Sequence, residues 1–222
     1  MKQVLDHGYV RLVDHMGSDL SIVRSARVSY NADWREHGEK NDHKLIKFLW
    51  DNHHTTPFES VEFQFEVKAP LFVLRQWHRH RTWTFNEVSG RYTELPDEFY
   101  VPELNMIGAQ STDNKQGREF TEADRSDDLG EYESVCQDVF DTYRRFIGNG
   151  WPRELARMVL PLSTYSRMFA KVDLLNLLKF IRLRDHSHAQ HEIQVYAKAM
   201  LDLIRPIVPV AIQSYEETTW VK

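Results

Sequence analysis

Apolar positions along this chain switch between a period of about two and a period of about 3.6, and the switches mark its elements. Residues 9–14, YVRLVD, read as a strand. Ser18 caps a helix running to about Ser29, with Leu20, Val23 and Ala26 or Arg27 at helical spacing. A polar stretch, NADWREHGEKND, leads into a second helix over about 42–53 that carries Leu45, Ile46, Leu49 and Trp50. Thr56-Pro57-Phe58-Glu59 has the form of a capping box opening a single turn, with Thr56 as cap and Pro57 at the first helical position. From Val61 to Lys68 the alternation is strict: Val61, Phe63, Phe65 and Val67 share one face of the clearest strand. Pro70 then starts a helix, PLFVLRQWHRHR, whose end places Gln76, Arg79 and His80 on one face.

Residues 107–128 are polar and charged, which predicts a mobile surface excursion. Leu129, Tyr132, Val135, Val139, Tyr143 and Phe146 mark the buried stripe of a long amphipathic helix that Gly148-Asn149-Gly150 ends. Pro152 opens a short helix stopped by Pro161, and residues 163–172 read as extended. Asp173 caps the helix DLLNLLKFIRLR, and SHAQHEIQVYAKAMLDLIRPI forms a further one. No internal repeat or low-complexity tract interrupts the pattern. The class is α+β, helices packed on a sheet, in a single domain over 1–222.

Composition narrows the chemistry. No apolar run approaches the ~20 residues that cross a bilayer, and the N-terminus carries acid and His where a signal peptide needs an apolar core. This predicts a cytoplasmic protein without a membrane partner. The single cysteine, Cys136, excludes an internal disulfide framework and a cysteine zinc cage. Its neighbours Glu131, Glu133 and Asp138 disfavour a thiolate nucleophile. The net charge of −5 argues against a general nucleic-acid binder. Positive charge is local instead: between Arg75 and Arg91 stand four arginines and two histidines, with Glu87 the sole acid. Such a patch in an acidic chain suits a pocket for a small anion.

Within it, Arg79, His80 and Arg81 repel one another unless an anion lies between them. Helix C-termini favour cations too, so the dipole alone is the competing account. TFNEVSGR reads as a loop that adds hydroxyls, an amide, a carboxylate for a ribose hydroxyl or an arginine fork, and Gly90, which lets backbone N–H groups approach a ligand. His186, His188, His191 and Glu192 have the look of a metal cluster, with His188 and Glu192 at i, i+4. Arg182 and Arg184 stand beside them, and His188 is better read as a hydrogen-bonded structural residue, with no metal. His53 and His54 sit at a helix end, where imidazolium is favoured anyway. Trp50, Phe63, Phe65, Phe72 and Trp77 are most simply core.

Arg79-His80-Arg81, then Thr84, Asn86, Glu87, Ser89, Gly90 and Arg91, resembles the signature of the flavin-dependent thymidylate synthases, R-H-R-x-x-S followed by a further Ser and Arg. The resemblance continues in order through RVSY (27–30), HTTPFES (54–60), KAPLFVLRQW (68–77), PRELARMVLPL (152–162) and LRDHSHAQHEIQ (183–194). It implies helices on a central, mostly antiparallel sheet. It also implies methylation of dUMP at C5 to dTMP, with the carbon from methylenetetrahydrofolate and electrons from NADPH through bound FAD. A homotetramer with sites shared between subunits goes with it, and no cysteine nucleophile is required. By position, Arg184 matches the catalytic residue that favours ionisation of uracil N3, a role suited to a fixed guanidinium. The dUMP contacts fall on Gln76, Trp77, His78, Arg79, Glu87, Val88, Ser89, Gly90, Arg91, Arg157 and Arg184. The FAD contacts fall on Ser29, His54, Thr56, Glu59, Arg79, His80, Arg81, Asn86, Glu87, Asp173, Leu174, Leu175 and Lys179. Ser89 is read as a binding residue, since no base stands near it in sequence.

This sequence departs from the pattern at named positions. Thr84 replaces a Ser and keeps the hydroxyl. Asp173 stands where some relatives have Asn, setting a negative charge where a flavin phosphate would lie, or capping its helix. Leu175 and Lys179 are not the commonest choices, and Trp83 is bulky for its place. Two further readings use the same residues: a flavin- and folate-dependent dUMP hydroxymethylase, and a non-catalytic nucleotide or RNA binder.

Overall fold

The alternating segment at Val61–Lys68 forms the middle of a five-stranded antiparallel sheet. The structure is a computed structural model that describes residues 1–31, 33, 35 and 38–218; Ala32, Trp34, Glu36 and His37 of the polar stretch lie outside the described residues. In chain order the elements are β1 (Lys2–Val4), β2 (Gly8–Met16), α1 (Asp19–Val28), α2 (Glu39–Asp51), β3 (Glu62–Pro70), α3 (Leu71–Trp77), β4 (Thr84–Glu87), β5 (Ala109–Gln110), β6 (Arg118–Glu119), α4 (Ser126–Gly148), α5 (Arg153–Ala156), β7 (Tyr165–Asp173), α6 (Leu174–Arg184), α7 (His191–Ile204) and α8 (Pro209–Glu217). The strand order is β1-β2-β3-β7-β4.

One face of the sheet is dry. Val61, Phe63, Phe65 and Val67, with Met168, Ala170 and Val172 of β7, are buried against Ile22 and Val23 of α1 and the apolar side of α6. Full burial of each large side chain contributes roughly 1.5–3 kcal/mol. The other face is polar and internally neutralised. Glu66, buried on β3, accepts from Tyr9 Oη at 3.0 Å and pairs with Arg11 and, at 3.5 Å, with Arg167. Asp19 joins the two ends of the chain: its carboxylate accepts the N–H groups of Val210 and Ala211 at 2.9 and 3.0 Å, capping α8.

Several elements differ from the sequence reading. The strand at 9–14 is longer and forms a hairpin with β1, unseen because three residues carry too little periodicity. Helix α2 starts at Glu39 rather than 42. The capping box at Thr56 does not form: Thr55 holds the cap position of a 3-10 turn over Thr56–Ser60, and no side chain caps it. Instead, Ser60 Oγ donates to the Pro57 carbonyl at 2.6 Å. Helix α3 stops at Trp77, because the next bonds tighten to three-residue turns, Arg79 N–H to Gln76 O and His80 N–H to Trp77 O. TFNE is a strand, not a loop, held by pairing with β7. The 107–128 excursion contains the β5–β6 hairpin, pinned by Arg118 to buried Glu192 at 3.0 Å. The buried stripe of α4 runs through Cys136, Phe140 and Tyr143, while Val135 is 53% exposed. Helix α7 begins at His191, and α8 follows it with Pro209 in its first turn.

Gly8 marks the tightest point of this packing. A Cβ there would strike the Tyr196 hydroxyl and lie 2.7 Å from the Val4 carbonyl oxygen. That hydroxyl donates to the Lys68 carbonyl at 2.7 Å, fastening α7 to β3. Gly8→Ala is therefore expected to lower stability by about 1–3 kcal/mol, read from urea denaturation midpoints at unchanged slope.

Candidate functional site

The β3–β7 ladder determines where two helices begin. Pro70 pairs with Tyr165 and Glu62 with Asp173, so α3 leaves one end of the ladder and α6 the other. Nine strand residues extend ~30 Å and the 7 and 11 residues of the two helices together ~27 Å. The two helices, set out from opposite ends, come together at their C-termini, where Arg184 contacts Gln76 and His80, and the Arg79–Arg91 segment starts there.

Arg184, the last residue of α6, occupies that junction. Its Nη2 donates to the Gln76 carbonyl at 3.2 Å, and its Nε donates to His80 Nε2 at 3.0 Å. The His80 ring stands edge-on to Phe180 with centroids 4.9 Å apart. Burial, and then the charge of Arg184, lower the His80 pKa from 6.5 to about 4, so the ring is neutral at neutral pH and Nε2 is free to accept. Burial lowers the Arg184 pKa too, yet a guanidinium stays charged. The Gln76 side chain donates to Gln190 Oε1, tying the junction to the start of α7. Arg79 and Arg81 are exposed and, among the described residues, make no ion pair.

Strand β4 carries the segment back across the sheet. Glu87 Oε1 accepts from Ser166 Oγ at 2.7 Å, and Glu87 Oε2 lies 3.9 Å from His78 Nε2. Ser166, buried on β7, is a site residue that sequence reasoning missed; the clue was the β4–β7 pairing, invisible while TFNE was read as loop. Val88 N–H then donates to Arg167 O at 2.9 Å, and Ser89 Oγ accepts from Arg91 N–H at 3.3 Å. Gly90 makes room for Arg157: a Cβ there would lie 3.0 Å from Arg157 Cδ, a tight contact to which the arginine side chain would have to give way. The loop thus rests on Arg157, which sits in the turn after α5. Arg91 Nε reaches Glu154 at 3.2 Å in a half-exposed pair, a contact worth little in water.

Ser29, His54 and Thr56 come together on a cavity of about 970 Å³ between the C-terminal ends of α1 and α2, walled by Tyr30, Leu45 and Phe48. His53 holds a left-handed φ of 59° at its edge, and His54 N–H donates to Leu49 O at 2.8 Å. Glu59 is exposed on the following turn, and Asn86 on β4. Lys179 lines a different cavity of about 490 Å³, with Trp50, Leu183 and His188. Asp173 is a helix cap: its carboxylate accepts from Asn176 N–H at 2.9 Å.

Three of the residues expected at the ligands have buried side chains. Trp77 is wholly buried, stacked on Phe180 at 4.8 Å; Leu174 and Leu175 are core as well. Apolar neighbours take their side chains out of any ligand site and leave only backbone. Trp83, bulky for its place, joins the same aromatic cluster and is 6% exposed. Glu192 is engaged by Arg118 and by Tyr100 Oη at 3.2 Å, so it does not pair with His188. Among the described residues no cluster of His, Cys, Asp and Glu is arranged for a metal. Cys136 is 2% exposed, its sulfur 3.8 Å from Ser163 Oγ.

Residues 11–210 match the family described as thymidylate synthase complementing protein. The flavin-dependent thymidylate synthase of Wolbachia pipientis wMel is 47% identical over 219 residues, covering 97% of this chain and 76% of the relative. This chain belongs to the flavin-dependent thymidylate synthases. The family's enzyme from Treponema denticola is 47% identical, with 96% and 81% covered, and that of Dictyostelium discoideum 44%, with 96% and 73% covered. The fold of this flavin-dependent thymidylate synthase superposes on the UMP/dUMP methylase PolB from Streptomyces cacaoi bound with 5-Br dUMP, with a TM-score of 0.85, 33% identity and 96% of each chain covered. The α+β architecture is the family's, and the chain is an enzyme of the methyltransferase type.

The depressed His80 pKa has a sign that can be tested. The unfolded chain protonates this imidazole near 6.5 and the folded chain near 4, so the unfolded state binds more protons in between. Stability is expected to fall as pH drops from about 6.5 to about 4. Denaturation midpoints measured across that window are expected to fall less steeply in His80→Phe.

Proposed function

We propose that this chain methylates dUMP at C5 to give dTMP, taking carbon from methylenetetrahydrofolate and electrons from NADPH through FAD. The observation that carries this reading is the junction at which Arg184 meets His80, 104 positions away in sequence. That contact joins the LRDHSHAQHEIQ block to the Arg79–Arg91 segment. A guanidinium held there stabilises negative charge on the uracil as N3 ionises, which makes C5 nucleophilic without a thiolate. The sole cysteine, buried on α4, has no part in it.

The binding roles follow from chemistry. Arg91, Arg157 and the N–H groups at Ser89–Arg91 hold the dUMP phosphate, as forks and backbone donors do for phosphoryl oxygens. Glu87, oriented by Ser166, takes a ribose hydroxyl, beside Gln76, His78, Arg79 and Val88. The residues present also fit a flavin. The cavity at Ser29, His54 and Thr56 offers hydroxyls and imidazole on apolar walls, and Arg79 and Arg81 are cations without carboxylate partners among the described residues. Those five, with Glu59, Asn86 and Lys179, would hold FAD, which would supply the hydride that reduces the transferred carbon to a methyl group; the His80 side chain is engaged by Arg184 instead. Asp173 is committed to capping α6 and is left out of this set.

A homotetramer with sites shared between subunits completes the proposal. Its support is the exposed apolar run beside Arg157, where Trp151, Leu155, Met158 and Leu162 are 44–70% exposed, a surface that suits a partner subunit. Among the described residues no helix is long and apolar enough to cross a membrane, and a cytoplasmic location is part of the same reading.

Arg184→Ala is expected to keep the assembly and the flavin absorbance while lowering kcat about 10²–10³-fold; normal turnover in a dUMP-dependent flavin reoxidation assay would sink the ionising role. Arg91→Ala is expected to raise the dUMP dissociation constant by about tenfold or more, as loss of a charge-assisted contact does. An unchanged constant by isothermal titration removes Arg91 from the phosphate site. The mass of the nucleotide product separates methylation from hydroxymethylation.

A further inference from the structure

The two groups that hold Arg184 are both neutral. Arginines elsewhere in this chain that carry a structural load are paired with carboxylates: Arg27 with Asp42 at 2.6 Å, Arg118 with Glu192 at 3.0 Å, Arg11 and Arg167 with Glu66. Arg184 instead donates to an imidazole nitrogen and a peptide carbonyl. Neither is an anion, and a cation so held keeps its full charge toward whatever approaches the remaining N–H groups. A guanidinium has five donors; two are used here, which leaves three for a ligand. The bonds to Nε and Nη2 fix the plane of the group, and His80 is itself fixed by its edge-on contact with Phe180.

We propose that His80 is the positioning residue for Arg184, a neutral acceptor whose Nε2 lone pair orients the guanidinium without cancelling its charge. The inference rests on the reading of Arg184 as the group that ionises uracil N3, and adds to it why a histidine follows Arg79. A carboxylate at position 80 would hold Arg184 equally well and would quench it. An apolar ring would leave the charge and lose the aim. Accepting from Arg184 Nε at Nε2 requires the tautomer that keeps its proton on Nδ1.

Three substitutions separate these effects. His80→Gln offers a neutral acceptor and is expected to retain kcat within about tenfold of the parent. His80→Glu offers a charged acceptor and is expected to lose about 100-fold in kcat with little change in KM for dUMP, because the interaction removed is made in the transition state. His80→Phe keeps the ring and removes the acceptor, and misplacement is expected to cost about 100-fold. Each is measured on the flavin-loaded oligomer, with the flavin absorbance and melting temperature recorded as checks on folding and loading.

The decisive measurement is the double-mutant cycle of His80→Phe with Arg184→Ala. If His80 acts through Arg184, the double variant is no slower than Arg184→Ala alone. Full additivity of the two losses overturns the inference, as does a Glu variant as active as the Gln variant. Normal turnover by Arg184→Ala alone overturns the reading beneath it, so the two failures are told apart. Should the Glu variant fail to load flavin, the cycle decides by itself.

Discussion

The antiparallel ladder between β3 and β7 is the constraint on which the rest depends. Its inward residues are apolar except Ser166, so a slip of one position would turn the slipped strand's apolar set to the polar face and carry Glu66 and Lys68, or Arg167, into its place. The register is therefore unique, and with it the positions of Pro70 and Asp173 at opposite ends. From there α3 and α6 set out from fixed points, and their last turns come together where Arg184 contacts Gln76 and His80.

Much of this was legible in the sequence, for identifiable reasons. Strand β3 and helices α1 and α6 carry undiluted periodicities and polar caps, and they form close to where the pattern puts them. Strand β4 was not legible, because TFNE has a single apolar residue, Phe85, and owes its conformation to β7. Helix α4 was found with one stripe position misplaced: Val135 is 53% exposed, while Cys136 and Phe140 join Tyr143 in the core, and spacing alone cannot choose between adjacent stripes. Trp77 was read both as core and as a dUMP contact, and its stacking on Phe180 places the side chain in the core. The motif residues of the candidate site were legible by resemblance. The contacts among them were not, since Ser166 to Glu87 and Arg184 to His80 span 79 and 104 positions, and local spacing holds no record of such pairs.

The electrostatic plan divides the arginines by duty. With 33 acidic side chains against 28 basic ones, partners are plentiful, and the arginines that brace the sheet and helices have them. Arg79, Arg81 and Arg157 have none among the described residues, and Arg184 has neutral ones. In an acidic chain such a group stays without carboxylates only where the fold keeps them away, which is a more telling sign of an anion site than the density of cations along the sequence.

Those unpaired cations bear on how long the molecule lasts as well as on what it does. An anion that binds them in the native chain and not in the unfolded one adds stability in proportion to the logarithm of its concentration. The lifetime of the folded protein is thereby tied to the supply of its nucleotide: a cell rich in substrate preserves the enzyme, and one depleted of it leaves the same chain easier to unfold and to degrade.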